Sequence, residues 1–256
     1  MIGNNGEILD IVRLVVGAAI LSYASYTDLK TRKASNVLWV IMASIGAVLL
    51  IFQFFSVGFR QIFYLVFIPV MIGLVYLLFR LRLIFGGADA KAIMALTLLV
   101  PFEPRILAFP LWTSYMPFPW VVFCNALILF IFLPVSLLIF NVVKGNLEFP
   151  YCILGYKMSI EKAKQSFVWP LERIEKGRRR FSFIPRELKV DGEFKAFEKK
   201  GIDDIWVTPK LPFMVPLLAG FLASFFLGDI LFYIMQFFIS SSEYGVSAFL
   251  FLASII

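Results

Sequence analysis

The sequence predicts an all-α polytopic membrane protein, with about six transmembrane helices and a small cytoplasmic insertion. Three observations predict it. The chain of 256 residues is 61% hydrophobic with a mean hydropathy of +0.88, which is not the composition of a soluble domain. Several apolar runs reach the roughly 18–20 residues that cross a bilayer as helix. Most of the charge is gathered in one block, Lys144 to about Asp204.

The elements follow in order. Segment one covers about Ile8 to Tyr26 and closes in the charged stretch from Asp28 to Lys33. No small-residue cleavage site of the secretory kind follows it, so it reads as a retained helix. Segment two covers Val37 to Phe55, and Ser56 to Gln61 is a short loop. Segment three runs from Ile62 to Phe79, ahead of Arg80 and Arg82. Segment four begins near Ile84 and ends before Glu103. A Pro-rich loop with Trp112, Tyr115 and Phe118 follows, a composition suited to the membrane–water boundary. Segment five covers Trp120 to Val143. The polar block holds Phe167, Trp169, Phe181, Phe183 and Trp206, enough aromatic surface for a small folded unit. Segment six starts after the stretch Trp206 to Pro216 and runs to about Ile239, and the apolar tail Val246 to Ile256 is short for a span. The implied division is 1–143 for five membrane helices, 144–206 for the insertion, and 207–256 for the sixth helix and tail.

Orientation follows from Lys and Arg in the short loops. Lys30, Arg32 and Lys33 follow segment one, Arg80 and Arg82 follow segment three, and Lys144, Lys199 and Lys200 flank the insertion. The opposite loops carry Arg60 and Arg105. The expected N-terminus is therefore outside, with the loops after segments one, three and five in the cytoplasm. The net charge of +7 is then an orientation and anionic-lipid signal rather than a nucleic-acid one. The expected partners include the lipid bilayer and exclude nucleic acid.

The chain has no histidine, which removes the Ser-His-Asp triad, the Cys-His pair and His-based zinc sites. Cys124 and Cys152 are far apart and form no metal-ligand spacing. No metal and no cofactor is expected. What remains is carboxylate, lysine or tyrosine chemistry. Acids are costly in apolar segments, and so mark functional sites by default. Asp28 closes segment one. Asp89 follows Gly86, Gly87 and Ala88 and opens segment four. Topology puts both on the cytoplasmic side. Asp89 lies five residues beyond Ile84, roughly 8 Å into a helix at ~1.5 Å per residue. Two carboxylates held close share one proton, so one acts as base and the other as acid. A water between them can then attack a peptide carbonyl without a metal. The small residues before Asp89 give the backbone freedom and close approach.

Each aspartate also has a plain structural reading: a helix N-cap for Asp89, an exposed helix exit for Asp28. Asp229, a third acid in an apolar run, falls about 20 residues into segment six, on the far side of a bilayer. It reads as an outer-end or bundle-buried residue. Lys91 snorkels or meets lipid phosphate. Two other functions compete. One is an acid-gated membrane transporter or channel without protease activity. The other is a Ser-Lys signal peptidase using Ser22, Ser25 and Lys30.

The segment Gly86-Gly87-Ala88-Asp89, with Ala90 and Lys91 on an opening helix, resembles the Gly-x-Gly-Asp motif of type IV prepilin peptidase-like aspartic proteases. The stretch from Thr27 to Asn36 resembles the first catalytic segment of that family, and Asp203 to Pro216 resembles the approach to its last helix. Ala88, where the bacterial pattern has glycine, resembles the archaeal branch, the preflagellin peptidases. The resemblance covers nearly all of the chain except the C-terminal tail. It implies an archaeal cell-membrane enzyme with Asp28 and Asp89 catalytic. Such an enzyme cuts class III signal peptides from preflagellins (archaellin precursors) and pilin-like proteins at the cytoplasmic face. Bacterial members that also methylate the new N-terminus usually carry paired CxxC motifs. Two separated cysteines form none, so methyltransferase activity is not expected.

Overall fold

A computed structural model describes residues 2–56, 58, 65–84, 86–175, 178–182, 190–210 and 212–239. The expectations for Arg60, the start of segment three at Ile62, Phe183 and the tail Val246–Ile256 lie outside the described residues.

The chain divides into two compact units, Met1–Leu129 with Pro212–Ile256, and Phe130–Leu211. The first unit is helical. Its elements are α1 (Ile2–Thr31), α2 (Asn36–Ser56), α3 (Phe67–Arg80), α4 (Gly87–Leu99), the first part of α5 (Phe118–Lys144), α9 (Met214–Phe226) and α10 (Ile230–Ile239). Among the described residues, three helices are long and apolar enough to cross a membrane: Gly6–Thr31 within α1, α2 and α5. Residues Val15, Val40, Val48 and Ile51 on α1 and α2 are exposed. Such a continuous apolar exterior suits lipid rather than water.

The apolar segments do not all become long helices. α4 has 13 residues, about 20 Å of helix, and is shorter than the segment expected from Ile84 to Glu103. It is enclosed instead by protein, with Ala90, Ala92, Ile93, Ala95, Leu96 and Leu99 all buried. Its alanines allow close approach. The tightest contact is with α2, where a Cβ on Gly46 would sit 2.6 Å from the Leu98 and Leu99 backbone. Segment six is not one continuous helix. It breaks at Leu227–Asp229 into α9 and α10, because Gly228 takes φ +92°, a left-handed geometry suited to glycine. Asp229 then starts α10, its Oδ1 accepting from Phe232 N–H at 3.0 Å, the usual N-cap bond.

The second unit corrects the all-α expectation. It contains α6 (Tyr151–Leu154), β1 (Tyr156–Ser159), α7 (Ile160–Gln165), β2 (Val168–Pro170), β3 (Glu172–Glu175), β4 (Arg178–Phe181), α8 (Val190–Glu198) and β5 (Asp204–Pro209). β5 is the centre of an antiparallel sheet ordered β1-β5-β2, and β3 and β4 form a separate hairpin. Being flanked on both sides, β5 buries Ile205, Trp206 and Val207 in succession, without the alternation that would advertise a half-exposed strand. Ile160, Ala163, Val168, Phe194 and Phe197 complete the core. Asn141, late in α5, donates to the Cys152 and Gly155 carbonyls at 2.9 and 2.7 Å and so anchors the loop into β1. The described structure is mostly helical, with a small strand-containing domain.

Candidate active site

Asp28 lies inside α1, in its last turn, rather than in a loop after it. The helix continues to Thr31 and ends where Arg32 takes φ +56°. Both Asp28 and Asp89 are half-buried, and α1 packs against α9 and touches α4. The backbone N–H of Met214, the first residue of α9, lies beside the Asp28 carboxylate, and Arg32 adds a nearby positive charge. A helix N-terminus offers N–H groups with no intrahelical partner and a positive dipole end, both suited to a carboxylate.

Asp89 occupies the first turn of α4, and the carboxylates of Asp89 and Asp28 are near enough to act on each other electrostatically. The residue at the N-cap is Gly86, not Asp89, so the capping reading of Asp89 fails. Among the described residues no donor is bonded to the Asp89 carboxylate.

The structure also revises the reason for the glycines. Gly86 has φ −90° and ψ 119°, a conformation open to any residue. What it lacks is a side chain, and the space is taken: a Cβ there would fall on the Asp89 carboxylate, with Asp89 Cγ at 2.6 Å. Gly87 and Ala88 are already helical, and a Cβ on Gly87 would meet the Phe79 ring at an ordinary 3.7 Å. Gly86 makes room for the acid, and neither glycine unwinds the helix.

Neighbouring polar groups are committed elsewhere. Lys91 donates to Asn36 Oδ1 at 2.9 Å, tying α4 to the start of α2. Ser25 is buried and donates its hydroxyl to the Met214 carbonyl at 2.9 Å, while Lys30 lies over the Tyr26 ring. Ser25 and Lys30 are therefore not a nucleophile–base pair. Asp229 bonds Ser114 Oγ at 2.6 Å and caps α10, which makes it structural. No group of three or more metal-ligating acid or thiol side chains occurs among the described residues. Sequence reasoning missed the role of Met214. Its backbone reaches Asp28 across 186 positions (214 − 28), and no local pattern signals it.

Comparisons with known proteins show what the chain is similar to. The family model described as type IV leader peptidase family matches residues 15–139, a range that holds both aspartates. A second model, archaeal peptidase A24 C-terminus type II, matches residues 147–230. The chain is 30% identical over 240 residues to the preflagellin peptidase of Methanocaldococcus jannaschii, covering 85% of this chain and 94% of that protein. It is 29% identical over 236 residues to the preflagellin peptidase of Methanococcus voltae, covering 85% and 96%. The preflagellin peptidase of Methanococcus maripaludis is 27% identical over 240 residues, with 85% and 96% covered.

Proposed function

Because the chain belongs to the type IV leader peptidase family, we propose that it is a membrane aspartic endopeptidase removing the class III signal peptide from preflagellins and pilin-like proteins, with Asp28 and Asp89 as its catalytic pair. The observation that carries the residue assignment is the state of the two acids. They interact with each other, and Asp89 is bonded to no donor among the described residues, whereas Asp229 is fully used in structure. The transporter or channel alternative has no support from the relatives.

The chemistry follows from a shared proton. The ionised carboxylate takes a proton from a water lying between the pair as the water oxygen attacks the scissile carbonyl carbon. The protonated carboxyl hydrogen-bonds the carbonyl oxygen and stabilises the tetrahedral intermediate. The amide nitrogen is protonated, its bond to carbon breaks, and the products are a new leader carboxylate and a new amine on the mature chain. The pair titrates as one unit.

The proposal extends to topology: six crossings, with α9 and α10 sharing the last, an external N-terminus, and the site and residues 144–206 on the cytoplasmic side of an archaeal cell membrane. The Lys and Arg distribution supports it. The bilayer is then a partner and nucleic acid is not.

The test is co-expression with a preflagellin and detection of the shortened product. Asp28→Asn and Asp89→Asn are each expected to abolish shortening while remaining membrane-inserted. Continued cleavage by either variant sinks the pair. Reporter fusions at residues 33, 82 and 200 should all register as cytoplasmic.

A further inference from the structure

Serine and threonine in apolar helices usually satisfy their hydroxyls on the carbonyl four residues back. Ser56, Thr97, Ser136 and Ser224 all do so, bonding Phe52, Ile93, Phe132 and Gly220. Ser25 does not. Its hydroxyl leaves α1 and donates to the Met214 carbonyl, 189 residues away in sequence, at a buried contact. Three residues further along the same face of α1, the Asp28 carboxylate lies beside the N–H of that same Met214. One backbone unit is thus held at its carbonyl by Ser25 and faces Asp28 with its N–H, the two side chains being one turn apart. Its N–H is among those that the first turn of α9 leaves without an intrahelical partner.

We infer that Ser25 is a positioning residue for the Asp28–Asp89 pair: by fixing the Met214 carbonyl it fixes the first turn of α9, and so aims the Met214 N–H that orients the Asp28 carboxylate. The inference rests on the two-aspartate reading of the site. Asp89 needs no such clamp, because the space over Gly86 sets its place. Asp28 sits on a long helix with an exposed last turn, and its carboxyl has a free choice of rotamers unless a donor fixes one. A misplacement of about 1 Å costs on the order of 10²-fold in rate, so one aimed N–H is sufficient reason for a buried hydroxyl that crosses between helices.

The experiment compares Ser25→Ala, Ser25→Thr and Ser224→Ala in the full-length protein, measuring kcat and KM on a purified preflagellin and the melting temperature in detergent. Ser224 is a buried hydroxyl bonded to Asn125 and Gly220, remote in sequence from both aspartates and a control for general destabilisation. The expected result is a fall in kcat of about 10–100-fold for Ser25→Ala, KM within about threefold, and recovery of at least half the activity in Ser25→Thr. Ser224→Ala should lower the melting temperature with kcat unchanged. Activity of Ser25→Ala within twofold of the parent, failure of Thr to rescue, or an equal loss in Ser224→Ala each overturns the inference. Asp28→Asn is run alongside. If it still cleaves, the two-aspartate reading has failed. If it is dead while Ser25→Ala is fully active, only the positioning role has failed.

Discussion

The helical unit treats its acids differently at its two ends. At the end where α1 begins, each described carboxylate has a donor. Asp10 bonds Arg13 and the Arg105 N–H, each at 2.9 Å. Glu7 takes the Leu107 N–H at 2.9 Å and Glu103 the Ser114 N–H at 2.8 Å, and Asp229 takes Ser114 and Phe232. Together they pin the Pro-rich loop between α4 and α5, where Trp112 stacks on Tyr233 with 4.0 Å between ring centres. At the other end, 18 residues along α1 from Asp10 to Asp28 and about 27 Å of helix, Asp28 has the Met214 amide beside it and Asp89 has no bonded donor among the described residues. An acid in an apolar protein is therefore ambiguous until its donors are counted. Those that brace a loop are consumed by it, and those left to face each other keep lone pairs for water and substrate.

The largest expected effect breaks the comparison at its strongest point. Asp28→Asn and Asp89→Asn should each lower the cleavage rate by about 10²–10⁴-fold, the range of general acid–base contributions. Glu103→Gln and Asp229→Asn, at the braced end, should leave kcat within a few-fold. Next comes Gly86→Ala. It displaces the Asp89 carboxylate and should cost roughly 10²-fold in rate, whereas Gly87→Ala should cost only a few-fold, as steady-state kinetics on one substrate would show. Asp229→Ala should then separate stability from activity. Removing the cap of α10 should cost about 1–2 kcal/mol, read as a lower melting temperature, with kcat retained. The smallest effect is expected from Glu7→Gln, which keeps a weaker acceptor for Leu107. A change on the order of 0.5 kcal/mol would be seen as a slight rise in proteolysis of the 101–117 loop.

Much of this division was legible in the sequence. Asp28 and Asp89 stood out because carboxylates are rare in apolar runs, and the loop charges led to the expectation that they share one side. Asp229 was set apart by its distance along segment six. The break in that segment was not anticipated, because hydropathy continues smoothly through Leu227. The sign was nevertheless present, since a glycine followed by an aspartate ends one helix and caps the next. Strands in the insertion escaped notice because they span only three to six residues, and β5 is buried on both faces. The Ser25–Met214 contact had no local signature at all.

Gly46 has a practical bearing on how motion at the site could be observed. With no side chain between them, α2 meets the Leu98–Leu99 backbone directly, so spectroscopic labels on α2 and α4 would report one and the same body. The Ser25–Met214 bond couples α1 to α9 in a similar way. A label pair chosen within either couple should read a constant separation whether or not substrate is present. The informative ruler has one end on α1 or α9 and the other on α2 or α4.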